Sequence, residues 1–150
     1  MTPLRRRVVR AWPPLAIVLA VLALTWPQAA FITRAPGHVD AYFSMWRLAW
    51  VAHALTTQPD RVFDANIFHP ARNTLALSDA MLLQGALAAP LFWAGLPAVA
   101  VYNLLLLAGL AGSGLAMFAL VRRLTGADAP AVLAGVIYAL APYRFEHYMH

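Results

Sequence analysis

The chain has 150 residues, 62% hydrophobic and 11% charged, with a net charge of +5 and a mean hydropathy of +0.65. Soluble domains run at about 45–50% apolar and about 25% charged, so the composition argues against a soluble enzyme and points to an integral membrane protein. There is no cysteine, which excludes disulfides and thiolate metal sites.

The positive charge is localised. Arg5, Arg6, Arg7 and Arg10 supply four of the five net charges, directly ahead of an apolar run. Such a cluster reads as a topology signal that keeps the N-terminus cytoplasmic, and not as a nucleic-acid patch. All the basic residues are Arg or His, with no Lys. That usage suggests a GC-rich coding sequence and hence a bacterial inner membrane.

The first span is expected over residues 12–31. Twenty residues at about 1.5 Å each match a hydrocarbon core of about 30 Å. Pro13 and Pro14 fall in its first turn, where proline is tolerated, and Trp12 and Trp26 suit the two interfaces. A cleaved signal peptide is the rival reading, with Gln28-Ala29-Ala30 near the cleavage site. The later apolar segments favour a retained helix.

Residues 33–97 form a large outer loop. It carries Asp40, Asp60, Asp64 and Asp79, four of the six acidic residues. An amphipathic helix is expected over 38–57, with Val39, Tyr42, Phe43, Trp46, Trp50 and Ala54 at helical spacing. Asp40, Ser44 and Arg47 fall on another face. Such a helix lies in a membrane interface. Pro59-Asp60 ends it, and Asp64, Asn66, Pro70 and Asn73 mark turns. Ser78 is the expected N-cap of a second interfacial helix over 79–96, with Asp79 in its first turn. Were that helix to cross, Arg122 and Arg123 would lie outside, against the positive-inside rule. It is therefore expected to dip into the bilayer and return, two true crossings being the alternative.

A span is expected over 98–121. Ala108, Gly112 and Ala116, with Gly109 and Ser113 beside them, recur every four residues, a spacing that allows close helix contact. Gly126 is the expected C-terminal cap. A last span over 128–142 would continue through a kink at Pro142 and deliver Arg144, Glu146, His147 and His150 to the outer face. Three crossings make a poor independent unit, so the 150 residues are expected to be the N-terminal part of one larger membrane domain. The expected class is thus all-α: a polytopic membrane protein with transmembrane helices and amphipathic juxtamembrane helices in a large first outer loop.

No phosphate-binding glycine loop, serine nucleophile elbow or HExxH helix is present. The candidate chemistry is a set of ionisable groups that the expected topology puts on one membrane face. Asp40 stands where the chain leaves the bilayer, an expensive place for a charge without a task. Its structural explanation is the helix dipole, since it sits in a first turn. Glu146 is a second acid on the same side, so the pair could supply a general base and a second acid or metal ligand. Arg47, Arg72 and Arg144 are candidates to clamp a phosphate, against the plain alternative of contact with lipid headgroups. His147 and His150, at i and i+3, are weak metal candidates. His53, Asp64 and Asp79 read better as packing, turn and helix-start residues.

Three stretches resemble a bacterial branch of the GT-C superfamily of integral membrane glycosyltransferases: GHVDAYFSMWRLAWVAH (37–53), FDANIFHPARNTLALSDAML (63–82) and APYRFEHYMH (141–150). The link to the enzymes rests on topology and the acid in the first outer loop. The resemblance implies transfer of a sugar from a polyprenyl-phosphate carrier to an acceptor on the outer face. It implies Asp40 as the base that deprotonates the acceptor, with Glu146 as the second outer acid. No cofactor follows for certain, though a divalent metal is compatible. The expected partners are membrane lipid and a polyprenyl-phosphate-linked sugar, with no nucleic acid. The alternative is a non-catalytic polytopic membrane protein, such as a transporter fragment or a glycan-lipid assembly factor.

Overall fold

A computed structural model describes residues 3–35 and 37–146, with backbone alone for 3–10 and 145–146. The regular secondary structure of the described residues is all helical, with no strand among them. The helices are α1 (Pro3–Leu24), α2 (Val39–Thr57), α3 (Leu82–Trp93), α4 (Ala98–Thr125), α5 (Asp128–Ala139) and α6 (Pro142–Glu146). Two short 3-10 turns, Pro59–Arg61 and Thr74–Leu77, lie between α2 and α3. The chain divides into two compact units, one of residues 1–31 and 106–148, the other essentially residues 32–105.

In the first unit α1 ends at Leu24, seven residues before the expected end of the span. The following residues form turns, with the Thr25 hydroxyl donating to the carbonyl of Val21 at 2.7 Å. Pro27 has no N–H to continue the helix and disfavours helical geometry at Trp26. Among the described residues, α4 is the one helix long and apolar enough to cross a membrane. Its 28 residues span about 42 Å at 1.5 Å each. It ends at Gly126, whose φ of +70° suits the left-handed cap position. Next, α5 stops at Ala139 and α6 begins anew at Pro142, so the helix breaks where the sequence suggested a kink. Proline pushes Ala141 out of helical geometry while being well placed to start the next helix.

Ile17, Phe118 and Ala131 pack into one apolar cluster of this unit, and Val21, Leu110 and Ala139 into another. The close approach is not at the expected stripe. Ala108, Gly109, Gly112 and Ala116 are exposed, and a Cβ added at Gly109 or Gly112 would meet nothing within 4 Å. The tight contact lies at Gly114 and Gly135: a Cβ on Gly114 would stand 2.9 Å from Ala139 Cβ and 3.0 Å from the carbonyl oxygen of Gly135. Every-fourth spacing marks several faces of one helix, and the packing partner selects among them.

The second unit is built on α2 against α3. Buried Ala41, Ser44, Met45, Leu48, Val51 and Ala52 form the packed face of α2. Gly85 of α3 rides directly on Val51, where an added Cβ would come within 2.5 Å of Val51 Cβ. The expected aromatic stripe is therefore divided. Val39 is 79% and Tyr42 55% exposed, whereas Trp50 and Ala54 are buried. Ser44, placed by the sequence on a polar face, is buried too, and it accepts a bond there from Arg47.

The expected N-cap of α3 also shifts. The helix begins at Leu82, with Met81 in left-handed geometry at the cap, and the Asp79 carboxylate accepts from the Met81 N–H at 3.1 Å. Asp79 thus organises the entry turn from outside the helix. At twelve residues, about 18 Å, α3 is too short to cross a core of about 30 Å.

The loop between α2 and α3 is ordered by its own core of Trp50, Val51, Ala54, Ala65 and Leu75. Asp64 Oδ1 accepts from the Asn73 N–H at 2.8 Å, and the buried Thr74 hydroxyl donates to Ala65 O at 3.1 Å. Asn103, wholly buried in the first part of α4, donates through Nδ2 to the carbonyls of Ile32 (2.6 Å) and Arg34 (3.1 Å). This holds the start of the segment that leads to Asp40.

Candidate functional site

Asp40 sits exposed in the first turn of α2. A carboxylate there is stabilised by the unpaired N–H groups and the positive end of the helix dipole. His38 is the N-cap residue. Its Nδ1 lies 3.3 Å from the Asp40 N–H and 3.6 Å from Asp40 Oδ2. The two contacts need opposite protonation states, because Nδ1 accepts in the first and carries a proton in the second. The shorter, directed contact defines the cap, and the carboxylate remains beside the imidazole.

Arg47, two turns along the same helix, spans from α2 to the residues before α3. Its Nη1 donates to Asp79 O and its Nη2 to Ser44 Oγ, both at 2.8 Å. The guanidinium carbon stands 4.6 Å from the centre of the Phe43 ring. Two of its five N–H groups are thus committed to the protein, while the buried Nε has no acceptor. Arg72 is exposed in the turn region and makes no ion pair among the described residues.

In the other unit, Arg144 of α6 donates through Nη1 to Ser113 Oγ and, at 3.3 Å, to Tyr138 O. Its guanidinium lies 5.1 Å from the Tyr138 ring centre. Glu146 ends α6, and its side chain is outside the description. His147 and His150 lie outside the described residues. Among the described residues no three His, Cys, Asp or Glu side chains cluster to hold a metal.

Asp40, Arg47 and Arg72 therefore share the second unit, while Arg144 and Glu146 belong to the first. Sequence reasoning missed Asn103. Its signal was present, a lone carboxamide within an otherwise apolar helix, which is costly unless bonded. The indole N–H bonds of the second unit, from Trp46 to Asn66 Oδ1, from Trp50 to Val62 O and from Trp93 to Ala52 O, were not legible, since no pattern in the chain names their acceptors.

The described residues form an all-helical structure, with one helix among them that could span a membrane and an ordered unit built on α2 and α3. Comparison with protein-family models, curated proteins and solved structures finds no match.

Proposed function

We propose that the chain is a polytopic membrane protein that serves sugar transfer from a polyprenyl-phosphate-linked donor to an acceptor on the outer face of a bacterial inner membrane. In this reading Asp40 is the base that takes the acceptor proton. The membrane setting is supported by large apolar side chains turned outward on three helices: Leu15 and Leu19 on α1, Leu120 and Leu124 on α4, Leu133 and Ile137 on α5. Water would penalise such surfaces and lipid would not.

The observation that carries the catalytic reading is the setting of Asp40. An exposed carboxylate is held in a helix first turn, beside an imidazole, on a stretch whose Val39 and Tyr42 side chains point outward. A base for a membrane-surface acceptor needs that combination of access and apolar anchorage. Of the candidate arginines, Arg72 is exposed and makes no ion pair among the described residues, and it is the proposed phosphate contact.

A second reading, a non-catalytic membrane protein, is favoured by a specific observation. Arg47 and Arg144 each turn part of the guanidinium group to internal bonds. Transfer from radiolabelled polyprenyl-phosphate sugars in membranes carrying the protein separates the two. Asp40→Asn should lose about 100-fold or more in rate, the usual scale of general-base catalysis, with membrane insertion unchanged. An unimpaired rate would remove Asp40 as base, and no transfer by the parent chain would favour the second reading.

A further inference from the structure

We propose that a groove beside α2 binds the ring of an uncharged sugar. It has a volume of about 320 Å³ and is lined by Trp46, Ala49, Trp50, His53 and Asn66. The first four, at i, i+3, i+4 and i+7, share one face of the helix. Asn66 comes from the loop between the two 3-10 turns. All five belong to one compact unit.

The lining has a defined chemistry. Trp50 Nε1 donates to Val62 O at 2.8 Å, and Trp46 Nε1 donates to Asn66 Oδ1 at 3.2 Å. Both indole N–H groups are satisfied within the protein, so what the rings add to the groove is carbon surface. The bond from Trp46 also orients the Asn66 carboxamide and leaves its Nδ2 group as a donor. The His53 ring stands 5.8 Å from the Trp50 ring at a tilt of 48°, and supplies further polar ring nitrogens. No Asp, Glu or Arg lines the groove.

A carbon floor with donors and acceptors at its rim, and no carboxylate or guanidinium, matches a pyranose. One face of that ring is C–H and its edge is hydroxyl. Phosphate and carboxylate ligands would meet no arginine or lysine. A lipid tail would cover the His53 and Asn66 polar groups without replacing their bonds to water, at a cost for each. The volume lies at the lower end of the range of small-molecule pockets, suited to a single ring.

Asp40 precedes Trp46 by six residues, which puts it roughly 120° round the helix from this face. Sugar binding in the groove therefore stands whether or not Asp40 acts as a base.

The test uses the whole chain in lipid nanodiscs of phosphatidylglycerol, so that no sugar-headed detergent competes. Saturation-transfer NMR is read with methyl glucoside and N-acetylglucosamine, with choline and inorganic phosphate as comparison ligands. The expected result is transfer to the ring C–H protons of at least one sugar, with Kd on the order of 1 mM. Ala49→Phe, which fills the floor, should weaken that binding tenfold or more. His53→Ala, at an exposed position, should weaken it several-fold. Circular dichroism verifies that both variants keep the helical content of the parent. Absence of transfer to either sugar, binding unchanged in a folded Ala49→Phe, or displacement of the sugar by choline or phosphate would each overturn the proposal.

Discussion

Replacing Asn103 by Leu tests how the approach to Asp40 is held. The two side chains are similar in volume, so α4 keeps its packing while the carbonyls of Ile32 and Arg34 lose their Nδ2 donor. Those bonds measure 2.6 and 3.1 Å, and Asn103 is fully buried. A net hydrogen bond contributes about 0.5–1.5 kcal/mol, and a buried group left without a partner costs about 1–3 kcal/mol. Arg34 is exposed, so water recovers part of its carbonyl's loss. About 2 kcal/mol for the pair is a fair figure, which raises the population of the opened segment roughly 30-fold. Trypsin reads this directly, because Arg34 precedes Ala35 and cleavage after it requires the segment to open. Where opening is fast compared with cleavage, the rate follows the open population. Cleavage after Arg34 should accelerate roughly 30-fold in Asn103→Leu, while cleavage after Arg72 in the same digest stays within about twofold. Equal rates at Arg34 in the parent and the variant would show that Asn103 does not hold this segment.

Gly85→Ala should destabilise the second unit by about 1–3 kcal/mol, because the new Cβ would sit 2.5 Å from Val51 Cβ and α2 and α3 would have to part. Gly112→Ala is the matched control: it meets open space and should be neutral or slightly stabilising through helix propensity. Equal unfolding midpoints for the two variants would refute the close contact. Arg122 and Asp128 stand 2.8 Å apart, but the N–H is not aligned on the carboxylate oxygen and both side chains are about one-third exposed. Arg122→Ala should therefore cost about 0.5 kcal/mol or less, and the difference from the parent should vanish in high salt. A larger, salt-insensitive loss in a denaturant titration would contradict that placement.

The helices were largely legible from periodicity, and their rotation was not. The expected helix over 38–57 matches α2 (Val39–Thr57) closely, because an extended helical period and the Pro59 stop leave little choice. Which face of α2 is buried depends on α3, and so the aromatic stripe split between exposed Tyr42 and buried Trp50. The same ambiguity misplaced the small-residue contact on α4, where Gly114 is packed and Gly112 is open. The entry to α3 shifted because Asp79 serves the turn instead of the helix. Asp40 was singled out by its position in the chain, and it lies in the first turn of α2. The internal bonds of Arg47 and Arg144 could not be foreseen, since a guanidinium reads identically whether it meets a phosphate, a lipid or a backbone carbonyl.

The tryptophans give the second unit a built-in optical label. Three of the five lie within it, and each indole N–H has a definite acceptor: Asn66 for Trp46, Val62 for Trp50 and Ala52 for Trp93. The other two, Trp12 and Trp26, are exposed. Exchanging those two for Phe would leave tryptophan emission that arises from residues 32–105 alone. The order of this unit could then be followed by exciting tryptophan selectively over tyrosine.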